Sequence, residues 1–289
     1  MKIPLQEDFN FAAAVTDHGW WMLSPNEWDD QRHILSRPVR LRNQKKALVR
    51  ISKLEHHLQL EMESEAPLDD ADQQDIKEQV AWMFRLDETF EPFYTMCSDF
   101  KELLHLPHNG RGRLLRSPTL FEDVVKVILT TNTRWGQTIN MARNLVVQLG
   151  ETLPINQQEY KIFPGPERIL EAGEAFLKEQ IRVGYRSTYI IDAAEKALDP
   201  AFKLEGLTSA TDSLAKLIEI KGVGPYAFNT LSMILGKYDS LPVDSDYKAH
   251  VMTKYFNGEK VKGRKMESVY DKWGAYKFLA YWYDKDEGR

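Results

Sequence analysis

The sequence predicts a mainly helical α+β protein with a small antiparallel sheet near its N-terminus. Three observations carry that prediction. Strand-like alternation is confined to the first 65 residues or so. Segments with helical periodicity and caps fill the remainder. A Gly-Val-Gly turn, residues 222–224, joins two of those helical segments. The expected division is an N-terminal α+β part over 1–110 and a helical part over 111–289.

The strands come first. In "HLQLEMES" (57–64), Leu58, Leu60 and Met62 alternate with Gln59, Glu61 and Glu63, a period of two. "ALVRIS" (47–52) precedes it across a four-residue turn, and "RPVRLR" (37–42) is a third candidate. The first long helix is expected at "DADQQDIKEQVAWMFRL" (70–86), whose acid-rich start suits the helix dipole. "SPTLFEDVVKVILTT" (117–131) opens with Ser117 as N-cap and Pro118 in the first turn, and its apolar run predicts a buried helix. "RWGQTINMARNLVVQLG" (134–150) ends on a C-terminal glycine. Further helices are expected at 164–179, 185–199, 210–220, 225–238 and 246–256, with a last one at "YDKWGAYKFLAYWYDK" (270–285).

Composition narrows the function. No apolar run approaches the length of a membrane span. The first fifteen residues make a poor signal peptide. The single cysteine, Cys97, excludes an internal disulfide and a four-cysteine metal or iron–sulfur site, and a reducing cytoplasm is expected. The net charge of −5 does not advertise nucleic-acid binding, but residues 61–91 alone carry −9, leaving +4 for the rest. Basic residues gather at Arg111, Arg113 and Arg116, at Lys216 and Lys221 beside the glycine turn, and at 260–265. Each cluster taken alone is more often plain surface.

The stretch "KGVGPYAFNTLSMILGKYDSLPVDSDY" (221–247) carries the chemistry. A four-residue hairpin between helices needs backbone angles that glycine adopts freely, and its amides can approach another backbone closely. The helix that starts at Pro225 points its first N–H groups outward, which suits a phosphate. Asp244 lies 20 residues beyond Gly224 and follows Pro242, so it is placed to cap the next helix. Asp246 reads as a structural acid of that helix's first turn.

This stretch resembles the signature of the helix-hairpin-helix DNA glycosylase superfamily. The superfamily pattern is a hairpin L-P-G-V-G, a helix, then P-V-D. Here it stands as Ile220-Lys221-Gly222-Val223-Gly224, then Pro242-Val243-Asp244, with Lys221 replacing proline. Other segments are similar too. "LRSPTLFEDVVKVILTTNTRWGQT" resembles the helix before the DNA-wedging loop, and "FPGPERIL" with "VGYRSTYI" resembles a segment shared by alkylpurine and oxoguanine glycosylases. "WGAYKFLAYWYDKDEG" is similar to the last helix of 3-methyladenine DNA glycosylase II.

The resemblance implies a set of roles. Asp244 would be the catalytic carboxylate, stabilising the positive charge that builds on the sugar as the base leaves. Lys221, Gly222, Val223 and Gly224 would hold DNA phosphate, with Na+ or K+ able to bridge the hairpin and no iron–sulfur cluster. Asn132 falls at the wedge position, with an alternative reading as a helix cap; Arg134 and Arg186 would be further DNA contacts. Arg186 has the alternative of an ion pair with an acid such as Asp192.

The pocket implied is aromatic. Members with lyase activity place a nucleophilic lysine two residues after the second hairpin glycine, where this chain has Tyr226, which cannot form an imine. Tyr226 and Trp282 would instead stack on a flipped, alkylated base, whereas Tyr281 and Tyr283 read as core. Trp20 and Trp21 are candidates to approach the same pocket. The expected partner is double-stranded DNA with a damaged base, bound by a monomer. The leading expectation is a monofunctional glycosylase for alkylated purines. An oxidised-purine glycosylase and a non-catalytic DNA-binding protein are the competing readings.

Overall fold

A computed structural model describes residues 1–5, 9–261 and 263–285; Lys262 of the basic 260–265 cluster and residues 286–288 of the last quoted motif lie outside the described residues. Contacts divide the chain into two compact units. One is Met1–Glu88 with Arg113–Glu205, the other Thr89–Gly112 with Gly206–Arg289. The sheet and the segment from Arg113 to Glu205 fall in the same unit.

The first unit contains a five-stranded sheet in the order β1-β5-β4-β3-β2. Its strands are β1 (Lys2–Pro4), β2 (Glu27–Asp29), β3 (Ile34–Arg40), β4 (Lys46–Leu54) and β5 (His57–Glu63), all antiparallel. Ile51 pairs with Leu60 and Lys53 with Leu58, so the alternation read from the sequence sets the buried face: Leu58 and Leu60 are inside. A second hairpin, β6 (Thr152–Ile155) and β7 (Gln158–Lys161), was not expected from the sequence. Its two-residue turn puts Asn156 and Gln157 at φ 48° and 68°, and its apolar side chains Leu153, Ile155 and Tyr160 cluster with Leu48 of β4.

The helix Leu120–Thr130 shows why this unit holds together. Every residue from Leu120 to Leu129 is buried, including Glu122, Asp123 and Lys126. Three charges inside a core must be paired. Glu122 meets Arg37 of β3 and the Lys126 ammonium at 2.6 Å. Burial works against its charge, but Arg37 and Lys126 outweigh burial and hold it below the usual carboxylate range. Asp123 accepts the Trp20 indole N–H at 2.6 Å and the Ser117 amide. The N-cap is Thr119, not Ser117, because the Ser117 amide bonds Asp123 and its hydroxyl bonds Lys126. Glu205 adds a second cap, accepting from the Leu120 and Phe121 amides at 2.8 Å each. Beside them, burial pushes the His18 imidazole down to about 3; the neutral ring must donate Nδ1–H to reach the Leu115 carbonyl at 3.2 Å.

Gly150, the expected helix terminus, is needed for space rather than for a left-handed angle. Its φ is −65°, and a Cβ there would sit 2.3 Å from the Val146 carbonyl oxygen.

The second unit is helical. Its core contains Phe93 and Trp273, with the half-buried Tyr276 against Phe93 and the Phe100 ring tilted on Trp273 at 4.2 Å between ring centres. The expected last helix is broken. Gly274, at φ 49°, kinks the 3-10 segment Ser268–Tyr276 that precedes the helix Lys277–Lys285.

Candidate active site

The hairpin forms as the sequence predicts, within the second unit. A 3-10 turn, Lys216–Glu219, leads to it and the helix Pro225–Ile234 leaves it. Gly222 takes φ 85°, which an L side chain rarely adopts. The turn closes on itself through Val223 N–H to the Ile220 carbonyl and Gly224 N–H to the Gly222 carbonyl, both at 3.1 Å. Val223 is buried and anchors the loop, while Lys221 and Gly224 are exposed. A Cβ at Gly224 would meet nothing within 4 Å, so this side of the turn is open, and the helix begins with no side-chain cap.

Asp244 is the N-cap of the helix Ser245–Tyr255, with Oδ1 accepting the Tyr247 amide at 2.8 Å. That satisfies one oxygen; Oδ2 has no hydrogen-bond partner among the described residues. The loop carrying Asp244 is tied to the hairpin's own helix, because Asn229 donates to the Leu241 carbonyl at 2.7 Å. Two tight turns follow, Val243 N–H to Leu241 and Asp244 N–H to Pro242. Asn229 gave no signal in the sequence, since its partner lies twelve residues away with no motif between them. Asp246 pairs with Lys285, which agrees with a structural role.

Burial pushes the Tyr281 phenol well above its ordinary range, and the Asp244 and Asp246 carboxylates add to the shift. Tyr281 and Tyr283 are 2% and 1% exposed, as expected of core. Tyr226 and Trp282 are half-buried. Trp282 stacks on Phe278 at 6.1 Å and carries Lys285 at 5.5 Å over its ring.

Toward the far end of the helix that Asp244 caps lies a buried carboxylate that sequence reading missed. Asp284 accepts from His250 at 3.0 Å, Lys254 at 2.8 Å, Tyr255 at 2.8 Å and Tyr270 at 2.7 Å. Burial alone would raise its pKa, but these bonds win and hold it well below the usual range. Three of the four donors belong to the Asp244-capped helix, so Asp284 fixes that helix against the last one.

The remaining candidates belong to the first unit. Asn132 is exposed, at φ 46°, and donates to the Tyr185 hydroxyl at 3.3 Å. It does not cap the following helix, Trp135–Leu149, whose N-cap position is Arg134, exposed and without a capping bond. Arg186 is 7% exposed and donates to the carbonyls of Thr131, Asn132 and Val183, so it holds the Asn132 loop in place of the ion pair considered from sequence. Its guanidinium also lies 4.7 Å from the Tyr185 ring centre. Partial burial would raise the Tyr185 phenol, but hydrogen bonds with Asn132 and Thr131 and the Arg186 charge together lower it. Trp20 is buried against Asp123 and stacks on His18 at 4.2 Å; Trp21 is half-buried. No group of three His, Cys, Asp or Glu side chains among the described residues is placed to hold a metal ion. Nor is any described helix long and apolar enough to cross a membrane.

No protein-family model matches the chain. It is similar to a probable N-glycosylase/DNA lyase of Methanothermobacter thermautotrophicus, 26% identical over 203 residues, 62% of this chain and 64% of that protein. The alignment thus spans less than two thirds of the archaeal relative. It is also similar to the DNA-3-methyladenine glycosylase of Bacillus subtilis, 25% identical over 257 residues, 84% of this chain and 81% of that one. Among solved structures, a 3-methyladenine DNA glycosylase from Archaeoglobus fulgidus shares the fold at a TM-score of 0.79 and 20% identity, covering 99% of this chain and 97% of that one. An 8-oxoguanine glycosylase/lyase of Clostridium acetobutylicum, solved with double-stranded DNA, matches at 0.70 and 20% identity over 98% and 92%. Relatives and structural neighbours are therefore those of the superfamily that the hairpin and Asp244 resemble, and the α+β fold is theirs.

Proposed function

We propose that this chain is a DNA glycosylase of base excision repair that hydrolyses a damaged, alkylated purine from duplex DNA without a lyase step. The observation that carries the reading is Asp244: half-buried, fixed through Oδ1, and left with Oδ2 uncommitted one helix beyond a phosphate-type hairpin. A base inside the duplex is out of reach, so it must be flipped out at a cost of a few kcal/mol. The C1′–N bond then breaks and its electron pair leaves with the base. The Asp244 carboxylate stabilises the cationic sugar and draws a proton from the attacking water, whose hydroxide joins C1′; a base made cationic by alkylation leaves neutral with the bond's electron pair, so that proton passes on to solvent.

The hairpin supplies the anchor. Lys221 and the backbone from Gly222 to Gly224 would hold a phosphate, reading the backbone and not the sequence. The Ile220 and Gly222 carbonyls each accept one amide and keep a second lone pair, so they would be the groups to hold Na+ or K+, which would supply positive charge beside a phosphate. Tyr226 stands where a lyase would carry its lysine, and with Trp282 it would wall the base pocket. The protein would act as a monomer in the cytoplasm. The second reading, an oxidised-purine glycosylase, is favoured by the exposed Asn132 held by Tyr185 and Arg186, since oxoguanine enzymes of the resembled superfamily carry asparagine at the wedge and alkylpurine enzymes leucine.

The test is base release from duplexes carrying 3-methyladenine, 7-methylguanine, hypoxanthine or 8-oxoguanine. The wild type should free an alkylated base and leave an abasic site with the strand intact. Asp244→Asn should bind DNA yet excise about 10²–10³-fold more slowly. Full activity in that variant would remove Asp244 from the chemistry. A covalent adduct trapped by borohydride would overturn the monofunctional reading, and release of 8-oxoguanine alone would favour the second one.

A further inference from the structure

A cleft of about 520 Å³ opens in the first unit, lined among others by Thr133, Asn140, Arg143, Asn144, Arg182 and Arg186. None of its lining residues is acidic. Three guanidinium groups therefore share one concavity, and among the described residues no carboxylate pairs with any of them. Arg186 forms the buried wall. Among the described residues its charge is met by carbonyl oxygens and the Tyr185 ring, and its Nε has no hydrogen-bond partner. Arg143 and Arg182 are exposed at the mouth. Arg143 is steered by Asn140, whose Oδ1 accepts from it at 3.0 Å. Arg182 ends a π-turn, Leu177–Ile181, at φ 66°, a left-handed angle that non-glycine residues seldom take.

A concavity with several guanidinium groups, side-chain amides and no acid suits a phosphate, which guanidinium forks bind bidentately. We propose that this cleft is a second phosphate subsite, separate from the hairpin, that grips the backbone of bound DNA. The inference rests on the glycosylase reading. Its location supports the nucleic-acid source of the phosphate. Thr133 lines the cleft and lies between Asn132 and Arg134, the two exposed DNA-contact candidates of this unit. A strand held at that loop passes the cleft mouth.

The experiment compares wild type with Arg143→Gln/Arg182→Gln, two exposed changes that spare Arg186 and the folded core. Binding to an undamaged duplex is measured across a salt series. The double variant should bind about tenfold more weakly at low salt, and its log–log salt slope should shrink by about 0.9 for one lost phosphate. Single-turnover excision at saturating DNA should not change. A wild-type slope in the variant would overturn the subsite while leaving the glycosylase reading intact. Failure of the wild type to bind duplex would overturn both. Thermal stabilisation by millimolar inorganic phosphate, lost in the variant while the DNA slope stays unchanged, would give the cleft to a free anion instead.

Discussion

The two ends of the helix Ser245–Tyr255 meet carboxylates under opposite conditions. At its start, Asp244 is half-buried and accepts one backbone amide. Towards its end, Asp284 is 3% exposed and accepts from four side chains, three of them on this helix. A carboxylate whose lone pairs are filled by neighbours holds structure and has nothing left for a substrate. One oriented by a single bond, with its other oxygen uncommitted, is both aimed and available. In the first unit Glu122 and Asp123 are likewise buried and held by neighbours, Glu122 by Arg37 and Lys126 and Asp123 by Trp20 and Ser117. The partners of each acid thus add to what sequence spacing says of Asp244 and Asp284.

The sharpest way to break this contrast is Asp284→Ala. It leaves the Lys254 ammonium and two phenols without their acceptor, and should destabilise the protein by about 3–5 kcal/mol in denaturant unfolding. A loss below about 1 kcal/mol would mean that the cluster is solvated enough to be dispensable. Asp244→Asn should give the complementary result. Asparagine caps a helix as well as aspartate, so unfolding free energy should move by only a few tenths of a kcal/mol while excision collapses. A large stability loss there would make Asp244 a structural cap first.

A smaller effect sharpens the comparison through pH. Because Asp284 is held below its unfolded value, the folded state binds fewer protons there. Its contribution is complete above about pH 4 and shrinks by up to roughly 1.4 kcal/mol per unit as pH falls further. The stability gap between wild type and Asp284→Asn should therefore narrow below pH 4. A gap that stays constant to pH 3 would argue against a depressed Asp284.

Much of the candidate site was legible because its signals are local. The glycine at φ 85°, the proline opening the next helix and the N-cap at Asp244 each depend on neighbours a few residues away. The alternation in β5 likewise fixed which side chains go inside. The misreadings share a different cause. Ser117 looked like the cap of its helix, but its amide and hydroxyl are taken by Asp123 and Lys126, and Thr119 serves instead. Asn132 was weighed as a cap, yet its side chain reaches Tyr185, 53 residues on.

By itself, then, the sequence determined the mainly helical class, the N-terminal sheet, the hairpin and the position of Asp244 as a cap, since backbone preferences and periodicity act over one or two turns. Only the tertiary structure decided which acids are spent on pairing, how the Arg113–Glu205 segment joins the sheet, and that Arg143 lines one acid-free cleft with Arg182 and Arg186 of a later segment. Those outcomes depend on burial and on partners tens of residues apart, where desolvation makes each unmet charge costly and folding selects the arrangement that satisfies them.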